Sequence, residues 1–152
     1  MQLKLENLCK TIGKNTILDN VNLTLSSGHV YGLWGINGSG KTMLMRAMAG
    51  LIRPTSGKIE IEGQVLWKDI SFPPSLGFLL EAPAFLDGYT GLDNLRLIAQ
   101  IKNLIGEADI RKVLEQVGLD PDDKRKYRKY SLGMKQRLGI ACAIMERPEL
   151  LL

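Results

Sequence analysis

Eight consecutive residues carry the densest chemistry in this chain. Gly35-Ile36-Asn37-Gly38-Ser39-Gly40-Lys41-Thr42 fits the pattern G-x-x-x-x-G-K-[ST]. Glycines let a backbone curl tightly and approach phosphate oxygens. Several N–H groups then converge on one anion, and the positive end of a following helix dipole adds to them. Lys41 is expected to reach the β- and γ-phosphates, and Thr42 to offer its hydroxyl to Mg²⁺. The chemistry implied is nucleoside triphosphate binding. The loop alone does not choose between a kinase, a GTPase and an ATPase.

Such a loop needs a buried strand before it and a helix after it. The run His29-Val30-Tyr31-Gly32-Leu33-Trp34 is short and mostly apolar, so a strand is expected there. A helix is expected from near Gly40 to about Ala49, closed by Gly50 and barred from extension by Pro54. Upstream, Gln2 to Leu8 alternates polar and apolar, as does Thr16 to Leu25, with Ile17, Val21, Leu23 and Leu25 as candidate inward residues. Lys58 to Gly63 alternates again, and Leu76 to Leu80 is another apolar run. From about residue 90 the spacing becomes helical: Leu92, Leu95, Ile98 and Ala99, then Ile110, Val113, Leu114 and Val117. A last helix is expected from near Ser131, carrying Leu132, Leu138, Ala141 and Met145 and ending by Pro148, before apolar residues that begin a strand.

At its start stands a second motif, Tyr130-Ser131-Leu132-Gly133-Met134-Lys135-Gln136-Arg137-Leu138. Ser131 is a good N-cap, and the N–H groups after it make a second potential anion site. Here the sequence resembles the ATP-binding subunit of ABC transporters, whose signature is L-S-G-G-Q followed by a basic, Gln-containing helix. Ser131 and Gly133 keep the signature serine and second glycine, while Tyr130, Leu132 and Met134 replace the leading Leu, the first Gly and the Gln. The resemblance implies that Ser131, Leu132, Gly133 and Met134 close on the γ-phosphate held by a partner subunit, so that two chains sandwich two ATP molecules. It also implies a role for Glu81, which stands where the family carries a Gln that contacts Mg²⁺ or the attacking water. A Glu at that position, and the Y-S-L-G-M-K-Q-R form, are similar to exporters that protect against bacitracin-like and lantibiotic peptides.

The departures carry information as well. The family's adenine-stacking aromatic is replaced by Ile12, which can cover a base by apolar contact but cannot π-stack. Met43 stands where a Ser or Thr is usual; its N–H can still serve an α-phosphate oxygen, but its side chain cannot. The apolar strand ending in the Walker B Asp, the catalytic Glu and the switch His have no counterpart among these residues, and the only histidine, His29, precedes the loop. The apolar stop at Glu149-Leu150-Leu151-Leu152 suggests a cut chain with an incomplete sheet, an exposed apolar edge and marginal stability.

The length suggests one domain, or one domain plus a small lobe. The chain has 152 residues, 45% hydrophobic and 24% charged, with net charge +4 and mean hydropathy −0.02. No apolar run reaches membrane-spanning length, and the first residues lack a signal peptide's apolar stretch. Cys9 and Cys142 match no metal or redox spacing. Net charge is too mild to imply nucleic acid, and the basic cluster Lys124, Arg125, Lys126, Arg128, Lys129, Lys135 and Arg137 reads as a solvated face. The expectation is an α/β fold with a P-loop core, an antiparallel β segment and a helical lobe. Its parts are residues 1–81 as the ATP-binding core, 82–147 as the lobe with the signature, and 148–152 as the start of the Walker B strand.

The resemblance implies an ABC-type ATPase when full length, using ATP and Mg²⁺ in a head-to-tail dimer. Its partners are a second ATP-binding subunit and integral membrane permease subunits, with no nucleic acid. Its place is cytoplasmic, on the inner face of the membrane. Phe85, Leu86 and Tyr89 fall near the groove where the family receives a helix of the membrane subunit, and core packing explains them almost as well. Two other readings compete: a nucleotide-binding module without turnover, and a soluble ABC ATPase not linked to transport.

Overall fold

The computed structural model describes residues 1–79 and 84–152. The chain divides into two compact units, Met1–Leu76 and Gly77–Leu152.

The first unit is built on a four-stranded antiparallel sheet. Its strands are β1 (Gln2–Ile12), β2 (Asn15–Ser26), β3 (Ser56–Ile61) and β4 (Gln64–Val65), in the order β2-β1-β3-β4. One helix, α1 (Lys41–Met48), belongs to it. Leu3 and Leu5 point inward by simple alternation, and Leu8 follows them only because the ladder slips between Leu5 and Leu8. Asn7 sits at that slip with a φ of 48°, and its N–H donates to Asn22 Oδ1 at 2.9 Å. The added residue keeps the apolar set on one face, which is what a bulge does. Gly57 answers it from β3: a Cβ there would lie 2.3 Å from the Asn7 carbonyl oxygen, and its φ is +80°. Ile59 and Ile61 complete the buried face of β3.

Two expectations are corrected in this unit. In β2 the deeply buried residue is Leu18, while Ile17, Val21, Leu23 and Leu25 are half-buried. Further slips between Leu8, Lys10 and Thr11 shift the side-chain phase, so plain alternation misses it. The second concerns residues 29–34. They form no strand, and Val30 and Trp34 are fully exposed, with Leu33 39% exposed. A continuous apolar run is a buried strand only when neighbours pair with both its edges. Among the described residues neither sheet includes a partner for it. Trp34, at the end of that expected strand, is therefore a surface residue.

The second unit is mainly helical: α2 (Gly91–Lys102), α3 (Glu107–Gln116) and α4 (Leu132–Ile144), with a 3-10 turn at Tyr127–Lys129. Short strands β5 (Leu76–Gly77) and β6 (Leu150–Leu151) pair with each other. The Leu152 N–H donates to Gly77 O, and Leu152 O accepts from Leu79 N–H, the bracketing pattern of a parallel pair. The lobe's core gathers Leu95, Ala99, Ile110, Leu114, Tyr127, Tyr130, Leu138, Ala141 and Met145, with Phe85 packed against it. These residues carry the helical periodicities of the sequence, and burying an apolar stripe is what fixes an amphipathic helix in place. No described helix is long and apolar enough to cross a membrane.

Candidate nucleotide-binding site

The glycine loop opens α1 as its spacing demands. Gly40 is the N-cap residue and sits in the left-handed region, with a φ of 87° and no side-chain cap hydrogen bond. A Cβ at Gly40 would lie 2.8 Å from Ile17 O and 3.1 Å from Leu18 Cδ2, so the loop is tucked against β2 where only glycine fits. Gly38 also has a positive φ, 82°, but faces open space. The Ser39 N–H donates to Ile36 O at 3.3 Å, closing the turn.

The Lys41 ammonium lies over this turn. Nζ donates to Gly35 O and Ile36 O, each at 2.7 Å, and reaches Ser39 Oγ at 3.5 Å. An ammonium has three donors. Two are well satisfied and the third is stretched, so an incoming phosphate oxygen has to replace only a weak contact. Thr42 is exposed on the first turn of α1, and Met43 beside it is half-buried. The hydroxyl oxygen of Thr42 is the hard donor type that Mg²⁺ takes, alongside phosphate oxygens and water. Asn37 is exposed, as are Gly38 and Ser39, with Ile36 at 81%, while Gly35 is half-buried. The loop thus presents its backbone to solvent.

Ile12 lies at the β1–β2 hairpin end, opposite Asn15, and is 51% exposed. Two and three residues further along β2 stand Ile17 and Leu18, the residues that a Cβ on Gly40 would meet. Hairpin and phosphate loop therefore belong to one local surface of the first unit. Glu81 lies outside the described residues.

In the second unit the signature residues begin α4. Ser131 is its N-cap, and Ser131 Oγ accepts from the Met134 N–H at 3.3 Å. The Lys135 N–H donates to Ser131 O at 2.9 Å. Leu132 is 70% exposed, and a Cβ at Gly133 would meet nothing within 4 Å. The first turn of α4 holds no acidic residue. Three members of the basic cluster are internally engaged: Arg125 clasps Asp123, holding that carboxyl below its usual range. Lys135 Nζ lies 4.9 Å from the centre of the Tyr127 ring, and Arg137 donates to Gly118 O at 3.2 Å.

Two residues emerge here that spacing does not announce. Asn94 is 3% exposed, accepts from the Leu86 N–H at 2.8 Å and donates to the carbonyls of Leu86 and Thr90. It ties the loop before α2 to that helix. Tyr130, 7% exposed, accepts the Gly91 N–H on its hydroxyl at 3.2 Å, and burial pushes its phenol pKa up. A polar residue on the apolar Leu95–Ala99 side of α2 was the one available signal for Asn94. Nothing in the spacing pairs Tyr130 with Gly91.

A glycine loop closing on Lys-Thr at a helix start, within a mixed α/β frame, defines the P-loop class of nucleotide-binding proteins. The chain belongs to the ABC transporter family, whose sequence model matches residues 18–152. It is 50% identical over 146 residues to the ABC transporter ATP-binding protein YybJ of Bacillus subtilis (strain 168), covering 96% of this chain and 67% of that protein. It is 40% identical to the bacitracin transport ATP-binding protein BcrA of Enterococcus faecalis, covering 99% of this chain and 49% of that protein. It is equally 40% identical to the lantibiotic transport ATP-binding protein SrtF of Streptococcus pyogenes, covering 99% and 64%. The chain therefore spans between about half and two thirds of the length of these relatives. Among solved structures, the dimeric post-hydrolysis state of the ATP-binding cassette MJ0796 bound to ADP and Pi superposes with a TM-score of 0.83. That match is at 23% identity and covers 98% of this chain and 72% of that one. The expected fold class, a P-loop α/β core with an antiparallel β segment and a helical lobe, is the one observed.

Proposed function

We propose that this chain is the ATP-binding part of an ABC exporter subunit of the bacitracin and lantibiotic type. Residues 35–43 hold Mg-ATP. The N–H groups of Gly35 to Met43 surround the phosphates, Lys41 neutralises the β- and γ-oxygens, and Thr42 ligates Mg²⁺. Ile12 covers one face of the base. Glu81 contacts Mg²⁺ or the attacking water. Ser131, Leu132, Gly133 and Met134 face the γ-phosphate held by a second subunit in a head-to-tail pair. Hydrolysis then opens the pair, and permease subunits convert that movement into export from the cytoplasmic face of the membrane. The functional parts are 1–81 for nucleotide, 82–147 for the signature lobe and 148–152 for the strand that leads to Walker B.

The observation that carries this reading is the start of α1. Its N-terminal amides receive no side-chain cap, and Lys41 overhangs the same loop with one weakly used donor. A helix end left open beside a positioned ammonium is a ready anion site. The resemblance to BcrA and SrtF supports the export assignment.

The test follows Mg-ATP binding and nucleotide-driven self-association together, the latter by light scattering. Gly133→Asp is expected to remove self-association while leaving binding to the chain's own loop intact. The open space at Gly133 means that the new carboxylate disturbs no packing and acts by repelling the γ-phosphate. Equal loss of binding in Gly133→Asp contradicts the assignment across the pair.

A further inference from the structure

The start of α2 leaves its first N–H groups without intrahelical partners, as every helix does. Thr90 Oγ1 takes the N–H of Asp93. The N–H of Gly91, the first helical residue, is taken instead by a residue far along the chain, the buried hydroxyl of Tyr130. The next residue, Ser131, caps α4. Two adjacent side chains thus cap two different helices. The contact is close on both sides: a Cβ on Gly91 would lie 2.6 Å from the Tyr130 hydroxyl oxygen and 3.4 Å from Leu138 Cδ1. More bonds fasten the same segments together. The Tyr127 N–H donates to Tyr89 O at 2.8 Å, and the Arg128 N–H to Asp87 O at 3.3 Å. The Phe85 ring meets Tyr127 edge-on at 5.4 Å between centres. The loop fastened in this way exposes Leu86 and Tyr89, 52% and 45%.

We infer that Tyr130 is a positioning residue whose hydroxyl, by capping Gly91, couples the exposed 86–90 loop to the Ser131 turn so that the two move as one body. This rests on the reading of residues 131–134 as a phosphate-facing turn. The geometry then gives a route by which a load on Leu86 and Tyr89 alters the presentation of Ser131. A phenylalanine in the place of Tyr130 keeps the ring in the core and removes only the acceptor. The Gly91 N–H, buried at this contact, loses its partner, a costly state for a buried donor.

The test has two parts. In amide hydrogen exchange, Tyr130→Phe is expected to speed exchange at Gly91 and, by coupling, at Met134, whose N–H is held by Ser131, each by tenfold or more. Gly91→Ala reaches the same result by displacing the hydroxyl. Faster exchange at Gly91 with Met134 unchanged in both variants overturns the inference. The second part reads the Mg-ATP concentration at which the protein self-associates, with Ser131→Ala as reference. Tyr130→Phe is expected to raise that concentration at least threefold with no change in nucleotide affinity of the chain's own loop. Loss of self-association in Ser131→Ala beside an unchanged Tyr130→Phe overturns the coupling and spares the phosphate-facing reading. An unchanged Ser131→Ala overturns that reading, and the functional half of the coupling with it.

Discussion

At the residue scale, the two glycines with positive φ in the loop make different demands. Gly38 needs only its backbone angle, because open space surrounds it. Gly40 needs both the angle and the absence of a side chain, since Ile17 O lies 2.8 Å from its Cβ position. Gly40→Ala is therefore expected to cost roughly 1 to 3 kcal/mol of stability, the range for a residue forced into a sparsely populated conformation. Gly38→Ala should cost less. Denaturant unfolding of both variants checks the ordering, and equal losses would remove the argument from the Ile17 contact. The glycine turn and the helix that opens at Lys41 were legible in the sequence, because both depend on spacing within eight residues. The Tyr130–Gly91 bond was not, because it joins residues 39 apart through packing of two helices that spacing alone does not orient.

At the element scale, caps and partners decide what forms. Ser131→Ala removes the hydroxyl that holds the Met134 N–H and is expected to cost about 1 kcal/mol of stability, as loss of an N-cap does; a thermal melt reads it. The start of α2 carries its own pH dependence. The Thr90 hydroxyl donates to Asp93, and this bond, with the Thr90 backbone bond and the charge of Arg96, holds the carboxyl below its ordinary range. A depressed folded value means that the stabilisation is present above the unfolded value and lost as pH falls through the folded one. Acidification below the usual Asp range should therefore fray α2 at its first turn. Asp93→Asn should abolish that part of the pH dependence, measured by helical circular dichroism; an unchanged acid profile would contradict it. The helices were legible because their apolar spacing and their caps agree. Residues 29–34 were misread because a strand is a property of pairs. Their hydropathy is right for a buried strand, yet no described strand pairs with them.

At the scale of the molecule, the chain carries exposed apolar side chains at Val30, Trp34 and Ile36, 102%, 99% and 81% exposed. They are close in sequence and directly precede or enter the phosphate loop. Large apolar side chains exposed in this number favour association. Val30→Lys together with Trp34→Lys is expected to lower concentration-dependent aggregation and dye binding without shifting the melting temperature, because neither side chain is packed. A lowered melting temperature would show that they contribute to the core. The β frame and the helical lobe followed from periodicity, since each buries its own apolar set. The expected inward faces of β2 failed where bulges shift the register, a tertiary adjustment that no local pattern encodes. The claim on which the functional account depends is that residues 35–43 bind a nucleoside triphosphate. Calorimetric titration of Mg-ATP into the protein and into Lys41→Ala tests it most directly. Saturable binding at one site is expected, weakened at least tenfold in the variant, a loss of about 1.4 kcal/mol or more. Equal affinity in the two proteins, or no saturable binding in the unaltered one, would contradict it.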